Sequence, residues 1–259
     1  MTRPKNLFTH YTIINVSENT NNILLSVVIP AYNEEKRLPT ALEPTIEFLK
    51  QQSYSSEIII VSDGSTDKTV LIAKKYIEKY NNLNIIEYTP NKGKGYAVKT
   101  GMKNAKGDFS LFMDADYAVP IEYVNTFLSM INHEYDIVIG SRGLRQSQIE
   151  SHQPFFREFV AKTFGLIQRI ILNLPILDTQ CGFKLFRKSA AEKLFPMTTF
   201  DCAYFDAELL YIAYHLKMHI GEIGVRWKHD GETRLPIGVK RTLEIIKKLF
   251  IIQRIHRYK

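Results

Sequence analysis

The chain has 259 residues, of which 45% are hydrophobic and 24% are charged, and its formal net charge is +7. This apolar content excludes an intrinsically disordered chain and is enough to bury the core of one large domain. Two cysteines, Cys181 and Cys202, exclude a disulfide-rich scaffold and indicate a reducing compartment.

The first 22 residues are polar and lack the apolar stretch of a signal peptide, so residues 1–22 are predicted to form a flexible segment. No part of the sequence has the roughly 18 uninterrupted apolar residues that a membrane-spanning helix needs. We therefore expect a cytoplasmic protein that is soluble or peripheral on the cytoplasmic face of a membrane.

Strands and helices alternate over the first 140 residues. Short apolar runs predict buried strands at residues 23–30, 58–61, 84–88, 109–113 and 136–140. Helices are predicted at 34–52, from 66 to about 77, and at 95–105. This alternation indicates an α/β fold with a doubly wound, mostly parallel sheet and helices on both faces.

The pattern changes after Arg142. Residues 143–154 are predicted to be a loop, 154–173 an amphipathic helix, 206–216 a helix and 219–227 an extended segment. One domain over 23–233 is followed by a basic amphipathic helix over 234–259. Residues 240–259 contain seven lysines and arginines against one acidic residue, Glu244.

Asp114 and Asp116 come directly after the strand at 109–113. Two carboxylates separated by one residue can converge on a hard cation such as Mg²⁺ or Mn²⁺, whose other ligands are water and diphosphate oxygens. Such a cation neutralises the charge of a leaving nucleoside diphosphate. An isolated pair could also be an acidic turn. The polar residues expected at the same edge of the sheet favour a binding site: Tyr32, Asn33, Glu34, Asp63, Ser141 and Arg142.

Three segments, in this order along the chain, resemble the inverting family 2 glycosyltransferases of the GT-A fold: Pro-Ala-Tyr-Asn-Glu-Glu at 30–35, Val-Ser-Asp-Gly-Ser-Thr-Asp at 61–67, and Met-Asp-Ala-Asp at 113–116. Four more are similar to the dolichyl-phosphate β-glucosyltransferase branch, which is close to the mannose synthases: 91–97, 140–142, 178–186 and 205–208. The resemblance runs from about Leu24 to Lys248.

The resemblance implies a nucleotide-sugar donor and a divalent cation. Asp116 would ligate Mg²⁺ or Mn²⁺ directly, with Asp114 beside it. One position departs from the mannose synthases, which commonly have a metal-binding glutamine where this chain has Ala118. The donor-binding positions implied by the family are Pro30, Ala31, Tyr32, Glu34, Asp63, Lys92, Lys94, Asp114, Ala115 and Asp116. From the residue alone, Tyr32 could equally be a partly buried turn aromatic.

Arg142 and Arg157 match the arginines that hold the acceptor phosphate in polyprenyl-phosphate transferases, and a guanidinium fork suits phosphate oxygens. Arg157 could instead be a solvated helix residue. A phosphate acceptor is already an anion and needs little help from a base, whereas a sugar hydroxyl would require a carboxylate base. Asp206 and Glu208 are the candidates for that role, and Asp178 is interpreted as structural.

The helices at 154–173 and 234–259 mix apolar and basic residues, and such helices can bind an anionic membrane surface. The alternative is that each packs on the sheet. Nucleic acid is excluded as a partner because no recognition motif accompanies the charge. P-loop and dinucleotide-binding glycine motifs are also absent from the sequence.

The sequence thus predicts an inverting glycosyltransferase that moves a hexose, expected to be glucose from UDP-glucose, to a polyprenyl phosphate such as dolichyl phosphate. One alternative is transfer to a saccharide hydroxyl in cell-surface polysaccharide synthesis. A second is a non-catalytic module that binds nucleotide sugars.

Overall fold

A computed structural model describes residues 12–14, 22–150, 165–228 and 239–256 of the chain. Arg157 and the first part of the helix predicted at 154–173 lie outside these residues. Within the described ranges, none of the helices combines the length and hydropathy needed to span a bilayer.

The centre of the fold is an eight-stranded sheet in the order β1-β4-β3-β2-β5-β8-β6-β9. Strands β4, β3, β2 and β5 are parallel neighbours, whereas β8 runs antiparallel between β5 and β6. The predicted mostly parallel sheet is therefore confirmed. The strands are β1 (Thr12–Ile14), β2 (Leu25–Ala31), β3 (Ser56–Asp63), β4 (Leu83–Tyr88), β5 (Phe109–Met113), β6 (Ile137–Ser141), β8 (Phe183–Arg187) and β9 (Ile220–Gly224). A separate parallel pair joins β7 (Gln148–Ile149) to β10 (Arg226–Trp227).

Helices cover both faces of the sheet because its strands are apolar on both sides. In β2, Val27 and Ile29 belong to one core cluster and Val28 to another, as the two-residue period of a strand requires. The first cluster includes buried residues of α1 (Leu38–Lys50), α2 (Thr69–Ile77) and α4 (Tyr123–His133). The second includes residues of α3 (Lys94–Asn104), α6 (Lys188–Leu194) and α7 (Phe205–His215). A 3₁₀ helix, Phe195–Met197, follows α6.

Two helices near the C-terminal end share a third, smaller cluster. Helix α5 covers 165–172, and α8 covers Val239–Ile255. Leu172 packs with Leu249 and Ile252, and the side-chain amide of Gln253 donates a hydrogen bond to the carbonyl of Ile171. The basic C-terminal helix predicted from the sequence is thus present and packs beside α5.

Some elements differ from the sequence predictions. Helix α1 begins at Leu38 rather than near residue 34, with Pro39 in its first turn, where the missing N–H costs no hydrogen bond. Thr12–Ile14 lies in the segment predicted to be flexible and pairs with β4 as an edge strand. The sequence analysis also did not predict α4, α6, β7 and β8.

Candidate active site

Two loops meet where β2 and β3 end at the carboxyl edge of the sheet. Asn33, whose φ of 53° is left-handed, donates its backbone N–H to Ser65 Oγ (3.2 Å) and accepts from the N–H of Thr66 through Oδ1 (2.8 Å). The N–H of Glu34 donates to Thr69 Oγ1 at 2.7 Å. These bonds hold the two predicted motifs of the donor site together as one surface.

Four predicted donor-binding residues lie on this surface. Pro30 and Ala31 end β2, and Tyr32, which follows them, is 41% exposed. Glu34 is buried, and its carboxylate accepts two hydrogen bonds of 2.6 Å from the guanidinium of Arg37. Tyr32 therefore offers an exposed aromatic side chain, while Glu34 is held by Arg37 in the turn before α1.

Asp63, the last residue of β3, is buried and organises the turn before α3. Its two carboxylate oxygens accept from the backbone N–H groups of Lys92 (2.7 Å) and Gly93 (2.8 Å), and Oδ2 also accepts from Asn91 Nδ2 (2.9 Å). The resemblance implied a contact with the nucleobase. In this structure, the contacts of Asp63 position the backbone of the turn that contains Lys92 and Lys94.

Asp114 and Asp116 lie after β5, as predicted, and a basic residue faces them. Lys94 Nζ is 2.6 Å from Asp114 Oδ1. Although burial lowers the pKa of Lys94, the negative charges of Asp114 and Asp206 raise it overall, so the ammonium is retained. Burial and the charge of Asp114 raise the pKa of Asp116 to about 6. Ala115, between the two carboxylates, is buried.

Gly182 allows Asp114 to occupy its position. The N–H of Asp114 donates to the carbonyl of Gly182 at 3.0 Å, and a Cβ at Gly182 would lie 2.0 Å from Asp114 Oδ2. A side chain here would therefore displace the carboxylate.

Arg142 is held in place by Asp178. Its Nε and Nη2 donate to the two carboxylate oxygens at 2.7 and 2.9 Å, and its guanidinium lies 5.4 Å from the ring centre of Trp227. Although burial opposes ionisation of Asp178, the pairing with Arg142 lowers its pKa to about 2. The pair is therefore fully charged at neutral pH, and the structural role predicted for Asp178 agrees with its contacts.

One cavity brings together Asp114, Asp116 and Arg142, whereas Tyr32, Asp63, Lys92 and Lys94 are not among its lining residues. Its lining includes Asp114, Asp116, Ala118, Arg142, Gln180 and Trp227. Asp206 is not part of this lining: it is 1% exposed and pairs with the fully buried Lys184 at 2.6 Å. Glu208, the other candidate base, is also fully buried. The cavity lining thus contains two carboxylates and a guanidinium, and neither candidate base belongs to it.

The pair of carboxylates fits a hard divalent cation. Partial burial and the charge of Asp114 raise the pKa of Asp116, and a bound cation would relieve the repulsion between the two carboxylates. No cluster of three or more His, Cys, Asp or Glu side chains suited to a metal occurs among the residues that the structure describes. The other ligands would therefore be water and the donor diphosphate. Asp116 is the better placed ligand, since Asp114 already pairs with Lys94.

No role is predicted from the sequence for Gln180, Gly182 and Trp227, all of which line the cavity, or for Lys184, which pairs with Asp206 outside it. Gln180, Gly182 and Lys184 belong to the segment 178–186, for which the sequence gives only the family resemblance. Trp227 was placed at the end of an extended segment. Its position beside Arg142 depends on the pairing of β10 with β7, which no local pattern indicates.

Comparison with known proteins identifies the family. The profile described as Glycosyl transferase family 2 matches residues 26–195. A dolichyl-phosphate beta-glucosyltransferase of Trichomonas vaginalis is 36% identical over 241 residues, which cover 87% of this chain and 72% of that protein. The protein of the same description from Drosophila melanogaster is 37% identical, with 91% and 76% coverage.

Solved structures share the fold. Glucosyl-3-phosphoglycerate synthase from Mycobacterium tuberculosis in complex with UDP has a TM-score of 0.61 at 16% identity, with 90% of this chain and 80% of that one covered. The mannosyltransferase from Pyrobaculum calidifontis in complex with GDP-Man and Mn²⁺ has a TM-score of 0.60 at 18% identity, with 92% and 66% covered. The GT-A fold and the family predicted from the motifs are confirmed. The chain therefore belongs to glycosyl transferase family 2, in the group of the dolichyl-phosphate β-glucosyltransferases.

Proposed function

We propose that this protein transfers glucose from UDP-glucose to a polyprenyl phosphate, such as dolichyl phosphate, with inversion at the anomeric carbon. The observation that carries the proposal is a cavity whose lining includes Asp114, Asp116 and Arg142. The carboxylates suit a metal-bound diphosphate, and the guanidinium suits the phosphate of an acceptor. The relatives described above are named dolichyl-phosphate beta-glucosyltransferases.

The donor would lie along the carboxyl edge of the sheet. Tyr32 would contact the base, the turn held by Asp63 would bring Lys92 and Lys94 towards the diphosphate, and Asp116 would hold Mg²⁺ or Mn²⁺ with Asp114 beside it. The cation would supply positive charge at the departing diphosphate. Lys94, a partly exposed ammonium 2.6 Å from Asp114, would add to that charge.

The acceptor would approach from the side of Arg142. One oxygen of its phosphate attacks the anomeric carbon, a carbon–oxygen bond forms, and the bond to the β-phosphate of UDP breaks, so that UDP leaves with the electron pair. The reaction needs no general base, because the attacking phosphate is already an anion. This fits the placement of Asp206 and Glu208, which are buried and hydrogen-bonded outside the cavity.

The same reaction would take place at an anionic membrane surface, on its cytoplasmic face. Leu166 and Ile170 on α5 and Phe250, Ile251 and Ile255 on α8 are exposed apolar residues on two helices that pack together. Lys247 and Arg254, also exposed, lie among them on α8. This composition suits binding to the interface of an anionic bilayer.

The test is a transfer assay with radiolabelled UDP-glucose, Mn²⁺ or Mg²⁺ and dolichyl phosphate in vesicles. Label in the lipid fraction that depends on the acceptor supports the proposal, and Arg142→Gln should reduce it by about a hundredfold, as expected when a charge-assisted contact to phosphate is lost. Parallel reactions with GDP-mannose and other donors test the sugar. No labelled lipid from any donor would refute the proposal, and label in a soluble saccharide would favour the hydroxyl acceptor instead.

A further inference from the structure

Glu208 is a fully buried carboxylate on α7 that joins a loop to the C-terminal helix. Both of its oxygens accept from the N–H of Thr199 at 3.0 Å, Oε1 accepts from Thr199 Oγ1 at 2.6 Å, and Oε2 accepts from the N–H of Phe200 at 2.8 Å. From α8, the Nε2–H of His256 donates to Oε1 at 2.7 Å. One carboxylate thus ties residues 198–202, here called the support loop, to the end of α8.

The support loop lies directly against the turn that begins α3. The carbonyl of Asp201 accepts from the N–H of Gly95 at 2.8 Å. A Cβ would lie 2.3 Å from Asp201 O if built on Gly93, and 2.5 Å from Phe200 O if built on Gly95. The backbone of the support loop is therefore in direct contact with the backbone of the turn, with no space for a side chain between them. A shift of the support loop must move this turn.

The turn carries the basic residues of the donor site. The backbone of Lys92 and Gly93 is bonded to Asp63, and the side chain of Lys94 is bonded to Asp114. Because Asp63 is buried at the end of β3, it cannot follow a movement of the turn. A movement of the support loop would therefore change the distance between Lys94 and Asp114.

Helix α8 contacts the support loop at two further points. Lys248 Nζ is 3.4 Å from Cys202 Sγ, and Phe200 packs on the cluster that contains Leu249 and Ile252. The residues next to these contacts in α8, including Phe250 and Ile251, are the exposed ones. A helix with one face on the support loop and another face exposed can transmit a change from the surface to the site.

We propose that Glu208 is a positioning residue that couples α8 to the nucleotide-sugar site, so that the seating of α8 sets the affinity for the donor nucleotide. The coupling runs from His256 through Glu208 and the support loop to Lys94. This inference rests on the proposed function, which assigns the cavity to a nucleotide sugar. It adds that donor binding is controlled by residues outside the cavity.

The experiment measures the dissociation constant of UDP, with Mn²⁺ present, by titration calorimetry. Glu208→Gln and His256→Ala should each weaken UDP binding by about tenfold, the effect expected when a charged hydrogen bond that fixes a binding group is lost. His256→Gln, which retains an N–H donor, should restore most of the affinity. Glu244→Gln, an exposed carboxylate on α8, and His219→Ala, an exposed histidine, are matched controls and should bind UDP as the unaltered protein does.

Steady-state kinetics give a second readout, in which the His256→Ala variant raises the KM for the donor and leaves the KM for the acceptor unchanged. Should Glu208→Gln fail to fold, the two His256 variants decide the question. Unchanged UDP affinity in His256→Ala, with only a lower melting temperature, would overturn the coupling and leave the proposed function intact. If the unaltered protein bound neither UDP nor GDP, the proposed function would fail and the coupling with it.

Discussion

Asp116 is the residue on which the proposed chemistry depends most directly. It is partly buried and lies beside a second carboxylate, and its burial and that neighbouring charge together raise its pKa to about 6. A carboxyl group with a strongly raised pKa is often found at a functional site, where a bound ligand stabilises its charge. A divalent cation with a diphosphate would stabilise the charge of Asp116. The neighbouring Asp114 is already compensated by Lys94.

Replacing Asp116 with Asn should lower the transfer rate by a factor of about a thousand or more. The reason is that a neutral amide is a poor ligand for the cation that neutralises the diphosphate. The melting temperature should stay within a few degrees or rise, since a repelling charge is removed. Transfer assays and thermal unfolding measure the two effects. Asp108→Asn, at an exposed position, is the control. A variant at Asp116 with normal activity would show that the metal is held elsewhere.

Asp178 contributes to stability through its pairing with Arg142. Its pKa in the folded protein, about 2, lies below the ordinary value of 3.8 for an aspartate. A carboxyl group whose pKa is lowered on folding stabilises the folded state at pH values above its pKa in the unfolded chain. This contribution is lost as the pH falls from about 4 to about 2. The difference of nearly two units corresponds to about 2 kcal/mol.

Asp178→Asn should therefore lower the free energy of unfolding at pH 7 by about 2–3 kcal/mol, since it also leaves Arg142 without a charged partner. The loss of stability between pH 4 and pH 2 should become shallower than in the unaltered protein. Urea denaturation over this pH range measures both. An equal shift at all pH values would mean that the ion pair is not the source of the effect.

At the level of elements, the sequence predicted the strands that contain buried apolar runs, and it missed β8. Strands β2, β3 and β5 have uninterrupted apolar runs that are buried on both faces. Strand β8 contains Lys184, and a lysine ordinarily argues against a buried strand. Its burial is possible only because Asp206, on a helix 22 residues later in the sequence, lies within 2.6 Å. Such a pairing is not visible in local patterns.

The loop before β8 positions the active site through Gly182. Gly182→Ala places a methyl group where Asp114 Oδ2 now lies, 2.0 Å from the ideal Cβ position. We expect a loss of transfer activity of at least about tenfold, because displacing Asp114 changes the charges around the diphosphate. The variant Gly165→Ala is a suitable control, since nothing lies within 4 Å of its Cβ and alanine favours the helix. Equal activity of both variants would show that Asp114 can move without consequence.

For the whole molecule, the first half of the chain was more predictable than the second. The motifs of the donor side follow strands β2, β3 and β5, whose carboxyl ends must meet in a parallel sheet, so their convergence follows from the element order. The group proposed to meet the acceptor, Arg142, is held by Asp178 and lies beside Trp227, and these three residues come from different parts of the chain. Their meeting requires the antiparallel insertion of β8 and the β7–β10 pair, and these are tertiary features. The motifs alone indicated Arg142 but not its partners.

Helix α8 has a group of exposed apolar side chains. Replacing Phe250, Ile251 and Ile255 on α8 with serine should weaken binding to vesicles containing phosphatidylserine by about tenfold or more, because each exposed apolar side chain that enters the interface adds to the affinity. Leu71→Ser, equally exposed on α2, is the control for a simple loss of surface hydrophobicity. Sedimentation with vesicles measures the binding, which should also fall as salt is raised, since Lys247 and Arg254 are attracted to the anionic headgroups. Binding that the triple variant retains in full would place the membrane contact on another part of the molecule.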